Sequence, residues 1–154
     1  MHDKAFPWKW IYTTGGLGLL PGAPGTYASM ACVALWYFTP EAQIRFLPYV
    51  LVFIAIVGVI SSEKAVKKMG VSDPSCVVID EWVGQGITLL AVPHTFLGGG
   101  IALVIFRIFD ILKPPPVRWL EKIPGGLGIM LDDMGAGIMG YLLIQAIWLV
   151  ASQP

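Results

Sequence analysis

Five apolar segments alternate with polar loops along the chain, and they give the first indication of its architecture. They run from Tyr27 to Phe38, Phe46 to Ile60, Val83 to Val92, Gly100 to Phe106 and Met134 to Ala151. Strand-like alternation is absent and helix-forming residues dominate, which favours an all-α fold. Only the last segment approaches the roughly 20 residues that a helix needs to cross a bilayer. The third and fourth become long enough only if their helices extend into the polar flanks or the loop between them lies deep in the membrane.

Composition separates the chain from ordinary soluble domains. Of its 154 residues, 56% are hydrophobic and 13% are charged, whereas soluble domains carry about a quarter charged residues. The formal net charge is zero, so a nucleic-acid partner is not indicated. We predict a single domain over residues 1–154, a polytopic helical membrane protein with about four or five short apolar helices. The alternative is a soluble helical domain with an unusually apolar core.

Lysine and arginine are divided unequally between two sets of loops. Nine of the ten fall in Met1–Gly25, Ser61–Glu81 and Arg107–Asp133, and only Arg45 falls in the loops between them. The positive-inside rule therefore places the first set, and the N-terminus, in the cytoplasm. The acidic residues that flank the apolar segments belong to the same loops, so the rule brings them to the cytoplasmic side as well.

These acidic residues are the candidate chemistry of the chain. Carboxylates packed together against apolar helices repel one another and resist desolvation, so a divalent cation is the simplest group to neutralise them. Ordinary structural roles are the alternative. Asp80 and Glu81 could lie at a helix N-terminus, where acidic residues interact favourably with the helix dipole, and Asp132 or Asp133 could be an N-cap. Glu63 could form an ion pair with Lys67 on one helix. The acidic residues are Glu63, Asp80, Glu81, Asp110, Asp132 and Asp133. Asp73, followed by Pro74, is predicted to cap a helix.

Basic residues and a glycine-rich loop could hold an anion. Arg107, Asp110 and Lys113 are three residues apart and share a helix face that ends at a proline run. Such a face could bind a phosphate between its two cations while Asp110 takes a metal. It could equally be an Arg107–Asp110 pair with Lys113 reaching the membrane interface. In the loop before the first apolar segment, Thr26 could cap a helix whose N-terminus faces an anion, or simply end a flexible turn.

Four motifs in order resemble the phosphatidylglycerophosphatase A family, and they span nearly the whole chain. One departure is Ala28, where a glycine is expected before Ser29. The resemblance implies an all-helical fold and Mg²⁺-dependent hydrolysis of phosphatidylglycerophosphate to phosphatidylglycerol and phosphate in the bacterial inner membrane. The motifs are Pro21-x-Ala23-Pro24-Gly25-Thr26-x-x-Ser29, Asp73-Pro74 with Ile79-Asp80-Glu81-x-x-Gly84, Phe106-Arg107-x-Phe109-Asp110-x-x-Lys113-Pro114-x-Pro116, and Asp132-Asp133-x-x-Ala136-Gly137.

On this interpretation the site faces the cytoplasm and some acidic residues hold one or two Mg²⁺, while a remaining carboxylate acts as base or attacks phosphorus directly. The sequence does not separate ligand from base, and it leaves the oligomeric state open. A cation transporter and a non-enzymatic membrane subunit are the competing hypotheses. The expected metal ligands are Glu63, Asp80, Asp110, Asp132 and Asp133; the expected catalytic residues are Asp80, Glu81, Asp110, Asp132 and Asp133; the expected substrate-binding residues are Thr26, Arg107 and Lys113.

Overall fold

A computed structural model describes residues 8–152, and every regular element in that range is helical. The all-α prediction is confirmed for this part of the chain. Lys4, which contributes to the loop charge count, lies outside the described residues. A 3₁₀ turn at Leu17–Leu19 separates the first two helices. The α-helices are α1 (Trp8–Tyr12), α2 (Pro24–Phe38), α3 (Glu41–Ile44), α4 (Leu47–Met69), α5 (Ile79–Leu89), α6 (Phe96–Leu112), α7 (Val117–Leu120) and α8 (Gly125–Ala151).

The helices extend beyond the apolar segments into their polar flanks. Helices α4, with 23 residues, and α8, with 27, are long and apolar enough to cross a membrane. Helix α2 begins at Pro24 rather than at Thr26, since proline at the first helical position loses no hydrogen bond. Helix α8 begins well before Met134, so Asp132 and Asp133 lie inside it and cannot cap its N-terminus. The N-cap explanation for this pair is therefore wrong.

Helix α5 is the central element of the bundle, although it has only 11 residues. It packs against α2, α4, α6 and α8, and most of its side chains are buried. A Cβ at Gly84 would lie 2.5 Å from the backbone oxygen of Asp133, so this glycine permits the close approach of α5 to α8. The Thr88 hydroxyl then donates a hydrogen bond of 3.2 Å to the Gly137 carbonyl across the same interface.

The outer surface of the bundle is apolar. Phe38 at the end of α2 is 80% exposed and Phe96 at the start of α6 is 81% exposed, and apolar side chains also face outward along α4 and α8. Most residues of the two longest helices are not buried within the chain. Contiguous apolar surface of this extent is typical of a protein whose surroundings are lipid. The chain is accordingly described below as a membrane protein.

Candidate active site

A polar cavity of about 250 Å³ lies where the acidic ends of the helices meet. Its wall is built by the N-terminus of α2, the loop before α5, the first turn of α5, the last two turns of α6 and the third turn of α8. The polar residues that line it are Asp73, Ser75, Asp80, Glu81, Arg107, Asp110, Lys113, Asp132 and Asp133. Five of the six acidic residues expected to act as metal ligands or catalytic carboxylates thus share one cavity, as do two of the three predicted substrate-binding residues.

Three of these carboxylates form the tightest group. Asp80, Glu81 and Asp133 each offer an oxygen, and the three oxygens lie within 4.8 Å of one another. Asp80 and Glu81 sit in the first turn of α5, and the close α5–α8 contact brings Asp133 against them. One buried oxygen of each side chain has no hydrogen-bond partner among the described residues. Buried carboxylate oxygens without donors are costly unless a cation neutralises them, so this group fits a divalent metal ion with oxygen ligands.

Arg107 and Asp110 form an ion pair on one face of α6, as their three-residue spacing predicts. Both side chains are largely buried, and both line the cavity. The pair is therefore part of the cavity wall rather than a solvated surface pair. It fixes a guanidinium beside the three-carboxylate group, and the guanidinium is suited to bind a phosphate oxygen.

Lys113 turns inward at the end of α6 instead of reaching outward to the interface. Its ammonium lies 2.8 Å from Asp132 Oδ2 and 3.0 Å from Glu121 Oε1. Burial disfavours the charged form of this lysine, but the two carboxylates outweigh that effect and raise the pKa of Lys113 above its ordinary value. The ammonium therefore stays charged beside the cavity. Glu121 lies C-terminal to α7 and was not singled out by the sequence, because no motif marks it.

The N-terminus of α2 closes another side of the cavity through Ala23, Pro24 and Gly25. This agrees with the expectation of a helix start facing an anion, since the first turn of a helix has N–H groups without intrahelical partners. Thr26 itself is not the N-cap, because Ala23 occupies that position, and its side chain does not line the cavity. Any role of Thr26 in binding would have to use its backbone in the first turn of α2.

Glu63 is separated from the other acids. Its Oε2 accepts a hydrogen bond of 2.9 Å from the backbone N–H of Gly126, and its Oε1 lies 3.1 Å from Lys67 Nζ. These contacts bind the start of α8 to α4 and satisfy one of the unpaired amides of the helix N-terminus. The structure thus supports the predicted Glu63–Lys67 pair and does not bring Glu63 to the cavity.

Asp73 lies in the cavity wall, although the sequence indicated a capping role. No helix begins at Pro74 in the described chain; a turn forms there, in which the Val77 N–H donates to the Pro74 carbonyl over 2.9 Å. Asp73 is exposed and lines the cavity with Ser75. The capping prediction was wrong because an Asp-Pro pair begins turns as readily as helices.

The cavity carries a large excess of negative charge. Six carboxylates line it together with only two cations, an excess of four negative charges when all are ionised. Repulsion of this size inside a small cavity favours the uptake of cations. A cation bound to the acidic group would in turn allow an anionic phosphate to enter beside Arg107 and Lys113.

Comparison with known proteins identifies the family and several relatives of the chain. The family model described as phosphatidylglycerophosphatase A matches residues 10–148. A phosphatidylglycerophosphatase A of Escherichia coli is 38% identical over 140 residues, covering 86% of this chain and 78% of the relative. That of Haemophilus influenzae is 37% identical over 137 residues, covering 86% and 83%.

Another relative carries a different name. A putative phosphatidylinositol-3-phosphatase of Bacteroides thetaiotaomicron is 39% identical over 149 residues, covering 91% of this chain and 93% of the relative. No solved structure shows a significant match to the chain. With the family model matching from α1 to near the end of α8 and relatives similar over most of their length, the chain belongs to the phosphatidylglycerophosphatase A family.

Proposed function

We propose that this chain is a Mg²⁺-dependent lipid phosphatase that hydrolyses phosphatidylglycerophosphate to phosphatidylglycerol and phosphate. The family and the names of two relatives support this substrate. The observation that carries the proposal is the shared cavity in which Asp80, Glu81 and Asp133 lie beside Arg107 and Lys113. A phosphomonoester needs both kinds of group, because cations must neutralise its oxygens and a carboxylate must take part in the displacement.

Asp80, Glu81 and Asp133 are the residues that would hold Mg²⁺, since their unpartnered oxygens converge. A Mg²⁺ bound there would supply Lewis-acid polarisation of the phosphoryl group. The two helices position these ligands: α5 carries Asp80 and Glu81 side by side, and the close packing of α8 brings Asp133 next to them. Among these three, Glu81 was expected as a catalytic residue rather than as a ligand. Asp110 and Asp132, which were expected as ligands, instead contact Arg107 and Lys113. We assign these two a role in orienting the cations.

Arg107, Lys113 and the N-terminus of α2 form the phosphate-binding part of the site. Arg107 lies within α6 and Lys113 is its C-cap, and both residues line the cavity. Their positive charges stabilise the negative charge that builds up on the equatorial oxygens of the phosphoryl group during its transfer. The first turn of α2 adds backbone N–H donors from a third direction. Together these groups hold the phosphate so that the glycerol oxygen can leave.

A carboxylate of the cavity completes the reaction. In one route it accepts a proton from an attacking water, the new P–O bond forms, and the bond to the glycerol oxygen breaks with that oxygen taking up a proton. In the other route the carboxylate attacks phosphorus, and the bond to the glycerol oxygen breaks as that oxygen takes up a proton. Water then hydrolyses the resulting acyl phosphate, which releases phosphate and restores the carboxylate. Only the second route forms a phosphoenzyme, which rapid quenching with labelled substrate would trap.

The site is proposed to face the cytoplasm of a bacterial cell, with the protein in the inner membrane. Basic residues near the cavity end of the helices support this orientation: Lys67 and Lys68 end α4, Lys113 ends α6, and Arg118 lies in α7. Arg45, by contrast, lies in the connection between α2 and α4. Labelling of Lys122→Cys and Ser152→Cys by an impermeant thiol reagent in oriented vesicles tests this, in a background where the half-buried free thiol of Cys76 is replaced by serine. The Lys122 position should react from the cytoplasmic side, and reaction of Ser152→Cys from that side instead contradicts the orientation.

Phosphate release from phosphatidylglycerophosphate, with and without Mg²⁺, tests the function directly. Wild-type protein should release phosphate only with the cation, and Asp80→Asn should lose most of that activity while remaining folded. A cation transporter would instead move ions across vesicles without turnover, and a structural subunit would show neither activity. Absence of metal-dependent phosphate release from the wild type contradicts the phosphatase proposal.

Phosphatidylinositol 3-phosphate is a second candidate substrate, because a relative with similarly high identity is named as its putative phosphatase. Both lipids present a phosphomonoester on a diacylglycerol-linked headgroup, so the cation-binding and phosphate-binding residues serve either. Comparison of kcat/KM for the two lipids under identical conditions distinguishes them. A higher value for the inositol lipid would replace the first substrate but keep the chemistry.

A further inference from the structure

One face of α6 connects the catalytic cavity to an apolar groove that follows the outer surface of the bundle toward the start of α6. Residues at helical spacing along this face line three adjoining cavities. Arg107 belongs both to the polar cavity and to an apolar depression of about 400 Å³, and Leu103 belongs both to that depression and to an apolar cavity of about 320 Å³. The three spaces therefore follow one another along a single helix face.

The apolar cavity of about 320 Å³ lies between α2 and α6, and the two helices run antiparallel on either side of it. Met30, Val33, Ala34 and Tyr37 form one face of α2 and line the cavity opposite Gly99 and Gly100 of α6. The Tyr37 and Phe96 rings meet edge to face with 6.0 Å between their centroids and stand at its outer end. The wall is almost wholly apolar, which suits a hydrocarbon chain.

The length of the groove matches one leaflet of a bilayer. The eleven residue-to-residue steps from Phe96 to Arg107 rise about 16 Å at the helical repeat, and half of the hydrocarbon core of a bilayer measures about 15 Å. A lipid whose phosphate lies beside Arg107 would thus have room for one extended acyl chain between the two helices. The second acyl chain would stay in the surrounding bilayer.

We infer that the groove between α2 and α6 is a binding site for one acyl chain of the phosphomonoester lipid substrate. This inference rests on the proposed function for the identity of the lipid, and on the continuity of the groove with the cavity for its position. The groove would fix the depth of the lipid and present its phosphate to Arg107 and Lys113. It would also make turnover depend on the length of the acyl chain.

Gly100 offers a clean way to fill the groove. It lines the apolar cavity between α2 and α6, and a Cβ at this position would meet no other atom within 4 Å. A larger side chain would therefore occupy the empty groove without a clash. Gly100→Trp should lower kcat/KM for dipalmitoyl phosphatidylglycerophosphate about tenfold, the effect of removing roughly two methylene groups from apolar contact. The same variant should hydrolyse the dihexanoyl lipid at the wild-type rate, because that lipid barely enters the groove.

Ala146→Trp is the matched control, since Ala146 is exposed on α8 and lines none of the three cavities. It should leave both activities at the wild-type level, and Gly100→Leu provides a smaller version of the groove-filling change. An equal loss on both lipids, or no loss on either, overturns the groove proposal while the phosphatase proposal stands.

Lipid retention separates the two proposals independently of turnover. Native mass spectrometry with dipalmitoyl phosphatidic acid, in the presence of a chelator, should show lipid bound to wild type and to Ala146→Trp but not to Gly100→Trp. If this pattern appears and phosphatidylglycerophosphate is not hydrolysed, the groove stands and the proposed function fails. Equal retention by all three proteins overturns the groove.

Discussion

Lys113 Nζ lies 2.8 Å from Asp132 Oδ2, so a single contact joins the end of α6 to the third turn of α8 at the edge of the catalytic cavity. Lys113 is the C-cap of α6 and adopts a left-handed conformation with φ of 43°, which is uncommon for a residue with a side chain. The conformation ends the helix before the proline run, and the side chain extends toward α8. Lys113 therefore both ends α6 and places a positive charge at the edge of the catalytic cavity.

Replacement of Lys113 should reduce activity far more than replacement of another lysine. Lys113→Met removes a cation from the phosphate-binding part of the site and leaves the buried Asp132 carboxylate without its cationic partner. We expect kcat to fall about 10²- to 10³-fold, as when one charge-stabilising donor is removed from an active site. Phosphate release measures the effect, and Lys122→Met, outside the cavity wall, serves as control. Wild-type activity in Lys113→Met would contradict the assignment.

The same lysine should also shape the dependence of stability on pH. Because its pKa in the folded protein is raised, the folded state binds the proton more tightly than the unfolded state. Its contribution is therefore complete below the ordinary lysine pKa of about 10.4 and is lost as the pH rises through the higher folded value.

Thermal unfolding in detergent at several pH values measures this contribution. The Tm difference between wild type and Lys113→Met should stay constant from about pH 7 to 9 and shrink only above about pH 10.5. Lys122→Met should show no such change with pH. A difference that already narrows between neutral pH and pH 9 would show that another group titrates in its place.

Asp73 should matter for chemistry rather than for folding. It caps no helix in the described chain, and it lines the cavity beside Ser75. Asp73→Asn should keep the Tm of the wild type within a few degrees and lower phosphate release at least tenfold. Glu41→Gln, an exposed acid in α3 that does not line the cavity, is the matched control. Loss of stability with full activity per folded molecule would restore the capping role.

Glu63 should show the opposite behaviour. Its carboxylate accepts from the Gly126 N–H at the start of α8, and removal of such a cap costs about 1 kcal/mol. Glu63→Ala should therefore lower the free energy of unfolding by that amount, whereas Glu63→Gln keeps an acceptor and should lose less. Both variants should retain kcat and the Mg²⁺ dependence of the wild type. A Glu63→Gln protein that folds normally but needs much more Mg²⁺ would return Glu63 to the metal-binding set.

The apolar pattern predicted the helices well but not their ends. Each apolar segment predicted from the sequence lies largely within an observed helix. This follows because a continuous run of apolar side chains has to be kept out of water, in the bundle or in lipid. The boundaries differ by up to nine residues, as at α8, since Glu63 caps Gly126 from a distant part of the chain. Such a contact is decided by packing, and no local pattern reveals it.

The candidate site was predictable in composition and less so in detail. The acidic residues at the apolar edges pointed to the cavity because uncompensated charge beside apolar helices requires a partner. The roles of Asp73 and Glu121 depended on how two loops fold over the cavity, which their neighbours in sequence do not reveal. Thr26 was expected to bind substrate at the start of a helix, but the helix begins at Pro24 and Thr26 does not line the cavity.

Gly25 offers the sharpest test of how closely the site is packed. A Cβ at this position would collide with the Glu81 carboxylate and lie 3.3 Å from Arg107 Nη1. Alanine normally favours a helix over glycine by about 1 kcal/mol, so Gly25→Ala should strengthen α2 if the site were loose. We expect instead that Glu81 and Arg107 are displaced and that phosphate release falls at least tenfold. Gly100→Ala, which places a methyl group in open space on α6, should remain fully active on the dihexanoyl lipid, which barely enters the groove. Full activity in Gly25→Ala would show that Glu81 can leave its position beside α2 without cost to the reaction, and would remove Glu81 from the catalytic set.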